Sequence, residues 1–503
     1  MKLTIVLLLL LATVVGAIGF GRARTRNKTV ADWALGGRGM GTLLFWFMNA
    51  GEIYTTFAVF GIAGYAWALG APAYLAFCSV SLSYAIGYLV MPKIWRAGRS
   101  AGLVTQADFF AARYEAPWLG VVTGVVGIGA LIVYVQIQLV SLGLVVALTF
   151  GDAVSPLVSH LLAGLVMVTF VLFAGLRSAA YAAAIKDILM VVLVVILAWT
   201  LADKVGASSL LDVFTLAEQS YPGITKLPGI DPNATTTGIW LITSALNIAL
   251  GNWVFPHLFQ ISYSAHSPTA IRRNAIWQPI YSLAFFFIIV LGMGALVAGT
   301  QPPGGNMNAA LLQFVSNQYP EWVIGLLAGT GFLLALAPGS VLLLTAASIF
   351  TRNVVTPLAP HLGERKALLL SRISVVGFAL VAVAVSLLQK GSLMSILLNA
   401  YSAIGMLAPG VFLAFLWRRA TAVGVICGVV AGFTALVAPF AKGYWAATLP
   451  GWEPGLLAMA INAAVMVAVS LVTRAPGSAG LALGPGQPAA PASTPSAARP
   501  VTA

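Results

Sequence analysis

The sequence predicts an all-α integral membrane protein with about thirteen transmembrane helices. Three observations carry that expectation. Of 503 residues, 60% are hydrophobic and only 8% charged, a balance found in chains whose solvent is largely lipid. The apolar residues gather in runs of about 18 or more, long enough for a helix to cross the hydrocarbon layer. The basic residues behind the net charge of +13 sit in short loops on alternate sides of those runs. That is the pattern of the positive-inside rule, and it argues against nucleic acid as a partner.

The runs lie near 3–20, 41–66, 72–92, 118–149, 156–174, 179–201, 238–260, 276–299, 322–350, 371–389, 393–416, 421–440 and 454–473. The first, within residues 1–20, is followed and not preceded by its basic cluster (Arg22, Arg24, Arg26, Lys28). This suits a retained helix with an outside N-terminus better than a cleaved signal peptide. The remaining clusters then fall in the cytoplasm: Lys93, Arg96, Arg99 and Arg113; Arg177; Arg272 and Arg273; Arg352, Arg365, Lys366 and Arg372; Arg418 and Arg419; Arg474. Outer loops keep Lys204, Lys226, Lys390 and Lys442. The loop 202–238 is expected to lie over the outer mouth, and the Pro- and Gly-containing segment 299–321 to be partly irregular. Residues 421–473 form two further helices, and the Gly, Pro, Ala and Ser composition of 474–503 predicts a disordered cytoplasmic tail. Cys78 and Cys427 lie in apolar runs, so neither a disulfide nor a metal site is expected. The Ala, Gly and Leu bias points to a bacterial chain, hence to the inner (plasma) membrane.

The second run carries the chemistry. Asn49, Gly51, Glu52, Tyr54, Thr55 and Thr56 interrupt an otherwise apolar segment. A carboxylate at mid-membrane depth costs several kcal/mol or more, so it marks a functional hypothesis. Interrupted helices at the midplane expose backbone groups to substrate and coupling ion. Glu52 is therefore read as an ion- or substrate-handling residue; the structural alternative is a protonated carboxyl that holds the interruption together. A second interruption is expected at Gly251, Asn252 and Trp253, before Pro256, where freed amides could meet a carboxylate. His257 beside it is read as a packing residue or a proton relay. Asn399, Tyr401 and Ser402 are weaker candidates. No nucleotide-binding loop is present, so uphill transport needs an ion gradient. No nucleophile, base and metal ligands cluster as an enzyme would require, and no cofactor is expected.

Several stretches, in order, resemble the sodium:solute symporter family. They are DWALGGRGMG (Asp32 to Gly41), LVTQADFFAARYEAP (Leu103 to Pro117), GLRSAAYAAAIKD (Gly175 to Asp187), AASIFTRNV (Ala346 to Val354) and SAIGMLAPGVFLAFLWRRATAVGVICGVVAG (Ser402 to Gly432). The resemblance implies a LeuT-like fold: inverted five-helix repeats at 41–201 and 238–416, each opening on a broken helix, with flanking helices. Three stretches resemble a narrower branch, the bacterial monocarboxylate permeases: Gly251 to Leu283, Ile185 to Asp187, and Leu334 to Asn353. That suggests uptake of pyruvate or lactate, with amino acids or another small metabolite as the alternative. A transporter-like sensor or partner subunit without net flux is a further one. The oligomeric state is left open.

The resemblance also implies that backbone carbonyls of Gly51 and Tyr54 coordinate the coupling sodium. The family completes that site with hydroxyls on the ninth span. Here the matching positions are Ala337 and Pro338, with Leu334 one turn earlier. Sodium, a hard cation, needs several oxygens, leaving Ser340 or a carbonyl freed by Pro338 as substitutes. Lys186, next to Asp187, is the other candidate, an ammonium standing where sodium would sit and able to exchange a proton; the alternative is a lysine reaching the cytoplasmic interface. The coupling ion is thus Na+ or H+. Substrate contacts are expected from Asn49, Glu52, Tyr54, Gly251, Asn252 and Trp253, and ion coupling from Gly51, Tyr54, Glu52, Lys186 and Ser340.

Overall fold

The computed structural model describes residues 2–24, 29–150, 154–231, 233–388, 392–475 and 477. The expected tail therefore lies almost wholly outside the described residues. Among those described, all regular structure is helical apart from one bridge between Met40 and Ala265. Seven helices are long and apolar enough to cross a membrane, and four bent pairs raise the number to eleven. Two shorter apolar helices, Leu3–Ala17 and Leu157–Leu172, stand where the first and fifth runs lie. The spans are numbered here as the thirteen apolar runs.

The ninth span, Glu321–Leu358, is the centre of the bundle, and all of its most apolar stretch is buried. It packs against the first, fourth and tenth spans and against the helix Pro156–Val205 that holds the fifth and sixth. Its small residues permit this: a Cβ on Gly331 would stand 2.8 Å from the Phe60 ring, and one on Gly339 2.4 Å from the Met167 sulfur. Between the fifth and sixth spans the chain turns at Gly175 (φ 74°, ψ 173°), a backbone conformation glycine alone adopts readily. The polar segments carry short helices of their own, Asp212–Ser220 and Ala310–Gln318. The second of these makes the expected irregular segment more ordered than its Pro and Gly content suggests.

Four spans are bent at breaks: the second (Thr42–Ile53 and Phe57–Leu69, 48°), the seventh (Gly238–Asn252 and Pro256–Ser264, 53°), the eleventh (Leu393–Gly405 and Ala408–Leu416, 43°) and the twelfth (Ala422–Val437 and Pro439–Thr448, 71°). A broken helix in a bilayer strands backbone carbonyls that water cannot reach, and each must find a partner. At every break a side chain provides one, from another element at three of them and from the same span at the fourth. Lys186 Nζ donates to the Tyr54 carbonyl at 2.7 Å, and Gln106 Nε2 donates to that of Val254. Asn462 Nδ2 donates to Met406 at 2.6 Å. In the twelfth span Pro439 brings no N–H for Ala435, whose carbonyl takes the Trp445 indole N–H at 3.2 Å. The breaks are thus built into the tertiary structure.

Close packing holds the second half of the second span against the eighth (Pro268–Val297). A Cβ on Gly292 would lie 2.2 Å from the Ala63 carbonyl oxygen and 2.8 Å from the Ala66 methyl. Backbone cannot yield as a side-chain tip does, so overpacking here costs about 1–3 kcal/mol. Gly292→Val is expected to lower the melting temperature of the detergent-purified protein by several degrees. An unchanged melting curve would show that these helices separate freely.

Candidate functional site

The breaks in the second and seventh spans meet the third, fourth, eighth and eleventh spans around a partly enclosed cavity. Its polar lining is Asn49, Glu52, Ser79, Ser83, Tyr84, Tyr134, Asn252, His257 and Tyr401. The rest is apolar, including Phe57, Leu75, Ile248, Phe285, Met394 and Leu397, and no Arg or Lys lines it. Glu52 Oε2 stands 3.3 Å from His257 Nε2, both residues buried. His257 Nδ1 has no partner among the described residues, and neither has Asn49 Oδ1. Tyr401 donates its hydroxyl to Asn252 Oδ1 at 3.0 Å and so ties the eleventh span to the seventh.

Behind the Glu52 segment lies a second ionic pair, outside the cavity lining. Lys186 Nζ is 2.7 Å from Asp187 Oδ1 and 2.7 Å from the Tyr54 carbonyl, with both side chains fully buried. Tyr54 has φ −86° and ψ 74°, which ends the helix and turns its carbonyl out of the ladder. Gly51 makes the approach possible: a Cβ there would be 2.8 Å from the Ala183 methyl and 3.6 Å from Lys186 Nζ. An ammonium that donates to both a carboxylate and a carbonyl compensates much of its desolvation.

The residues present do not fit a sodium ion at this place. The lysine ammonium already takes the Tyr54 carbonyl, and Leu334, Ala337 and Pro338 carry no side-chain oxygen. Ser340 donates its hydroxyl to the Ala337 carbonyl at 2.6 Å, a bond within its own helix. Nor does Lys186 extend to an interface, since its side chain is wholly buried.

Of the residues expected to contact substrate, Asn49, Glu52 and Asn252 line the cavity, whereas Tyr54, Gly251 and Trp253 do not. The Tyr54 ring stacks on Phe285 with centroids 4.9 Å apart, and its hydroxyl donates to the Tyr281 carbonyl at 2.7 Å. Gly251 abuts Tyr401. Trp253 turns to the third span, where its indole N–H donates to the Ser83 carbonyl at 2.6 Å and its ring packs on Tyr84. A Cβ on Gly87 would sit 2.3 Å from that ring, so a glycine on the third span makes room for the tryptophan.

Sequence reasoning missed Tyr84, Tyr134, Ser79 and Ser83 as cavity residues. A signal was present. Ser79 and Ser83 are one helical turn apart and so share a face, with Tyr84 next to them. Tyr134, Gln136 and Gln138 are polar residues within an apolar run.

A model of the sodium:solute symporter family matches residues 33–432. The symporter YhjB of Bacillus subtilis, itself uncharacterized, is 31% identical over 466 residues, covering 91% of this chain and 94% of its own length. A monocarboxylate transport permease protein of Rhizobium johnstonii is 28% identical, with 91% and 94% covered. Among solved structures, a Na+-coupled sialic acid symporter superimposes with a TM-score of 0.76 over 94% of this chain and 98% of its own, at 15% identity. A nucleobase-cation-symport-1 family transporter gives 0.54 over 88% and 96%, also at 15% identity. The fold is LeuT-like.

Proposed function

The chain belongs to the sodium:solute symporter family; from that premise we propose that it takes up a small monocarboxylate, such as pyruvate or lactate, and couples this to protons in place of sodium. It is a multi-pass membrane transporter and not an enzyme. Its partners are a small-molecule solute and the surrounding lipid. The observation that carries the proton reading is the buried Lys186 ammonium, 2.7 Å from the Tyr54 carbonyl at the place where the family resemblance puts sodium. A lysine that gives up its proton on one side of the membrane and regains it on the other does the work of a coupling cation. The absence of side-chain oxygens at Ala337 and Pro338 supports the same reading.

The substrate class is supported by the cavity and by two relatives. The lining joins hydroxyls, amides and one imidazole to a larger apolar wall, which suits a small solute with one polar end. The Rhizobium johnstonii permease and a monocarboxylic acid transporter of Corynebacterium glutamicum, 24% identical over 449 residues, carry names of that class. The charge asymmetry of the loops supports a bacterial inner membrane location with the N-terminus outside.

Proteoliposomes test the proposal. Pyruvate and lactate uptake is measured under an imposed pH gradient and, separately, an imposed sodium gradient. Uptake under an inward proton gradient alone is the expected result. Uptake driven by sodium alone would overturn the coupling ion, and solute binding without flux under either gradient would point to a sensor.

A further inference from the structure

The thirteenth span, Pro454–Val472, belongs to neither of the five-helix units the family resemblance implies, yet two of its polar residues reach the eleventh. Glu453, its N-cap position, is buried (8% exposed). Its carboxylate accepts from Ser402 Oγ on the eleventh span and from Ser244 Oγ on the seventh, each at 3.3 Å. Its own N–H donates to Thr243 Oγ1 at 3.0 Å. Asn462, about two turns further along and 1% exposed, donates to the Met406 carbonyl at 2.6 Å. Met406 lies between the two halves of the eleventh span.

Glycines make this approach possible on both sides. A Cβ on Gly455 would meet Ser402 Oγ at 2.2 Å and Asn247 Nδ2 at 2.9 Å. One on Gly428 of the twelfth span would meet Asn462 Oδ1 at 2.4 Å. Asn247 Nδ2 in turn donates to Ser402 Oγ at 3.2 Å, which extends the cluster along the seventh span. The first half of the eleventh span supplies Met394, Leu397 and Tyr401 to the cavity wall. Its tilt about Met406 therefore sets how closed that wall is. Leu397 is 6% exposed as the helix stands.

We propose that the thirteenth span is a splint for the broken eleventh, Asn462 holding the break and Glu453 holding the half-helix before it, so that together they keep the cavity wall closed. Glu453 and Asn462 are positioning residues, acting on the cavity through the eleventh span. The inference is independent of which solute or ion is carried.

The test uses the detergent-purified protein with Cys78 and Cys427, both free and partly buried, replaced by Ala. One cysteine is introduced as Leu397→Cys, and in a second background as Ser348→Cys on the ninth span, a site that is 0% exposed. The rate of labelling by a water-soluble maleimide is read. Asn462→Leu and Ser402→Ala are each expected to speed labelling at position 397 about fivefold, the population shift that one hydrogen bond of ordinary net strength supplies. Labelling at position 348 stays unchanged. Glu453→Ala is expected to act like Ser402→Ala, and Glu453→Gln, which keeps an acceptor oxygen, to leave the rate at the parental value. Parental labelling at 397 in both Asn462→Leu and Ser402→Ala overturns the splint. So does an equal rise at 348, which would mean general loosening. Should Asn462→Leu not be recovered folded, Ser402→Ala, which removes a single hydroxyl, decides alone.

Discussion

Lys186→Ala is expected to abolish uptake driven by a proton gradient, with a fall of at least about tenfold. The ammonium is the partner of both Asp187 and the Tyr54 carbonyl, and removing one member of a buried ion pair costs about 3–5 kcal/mol. Part of that loss is structural, so the informative variant is Lys186→Ala combined with Asp187→Asn, which leaves no unpaired buried charge. Proton-driven uptake is expected to stay lost in the double variant, while solute exchange across the membrane in the absence of a gradient returns. Exchange needs the cavity and its alternating exposure but no coupling ion. Proton-driven uptake at the parental level in the double variant would exclude Lys186 as the coupling group.

The second large effect concerns Glu52→Gln, read as solute binding against pH. Glu52 faces the cavity with His257 3.3 Å away. A substrate carboxylate about 4 Å from an ionised Glu52 would be repelled by about 4 kcal/mol at an effective dielectric of 20, roughly a thousandfold in affinity. A proton on the Glu52–His257 pair removes that repulsion. The sign follows: lactate binding to the parent tightens as pH falls, because acid supplies the proton. In Glu52→Gln the charge is gone at every pH, so this repulsion and its pH dependence are expected to be lost, binding at pH 8 being about as tight as that of the acidified parent and only the linkage to the Lys186 proton remaining. Tryptophan fluorescence titration of the purified protein reads this directly. A pH dependence as steep as the parent's in Glu52→Gln would assign this binding proton elsewhere, and weaker lactate binding at every pH would make Glu52 a hydrogen-bond partner of the solute's hydroxyl or carboxyl group.

The sequence located much of this site along the chain but not in space. Asn49, Glu52 and Asn252 were legible because polar residues beside glycine have no packing reason to interrupt an apolar helix, and all three line the cavity. Lys186 was legible as a charge within an apolar run. Trp253 was misread because the same flanking Gly and Pro that mark a break say nothing about where its side chain turns. The answer lay at Gly87 and Ser83, some 170 positions earlier. Tyr84 and Tyr134 were passed over since a tyrosine in a membrane helix is unremarkable until three such hydroxyls, with Tyr401, converge on one cavity.

The sequence by itself determined the helical class, the thirteen apolar runs and the places of the breaks in the second and seventh spans. Each of these follows from local composition and from the length a bilayer demands. Tertiary structure decided the rest: that the Tyr54 carbonyl meets an ammonium, that Glu52 meets an imidazole, and that Asn462 reaches the break at Met406. A carbonyl freed by a broken helix creates a requirement that the local sequence reveals. Its partner comes from whichever helix the packing brings within about 3 Å, and that choice is made by the whole bundle.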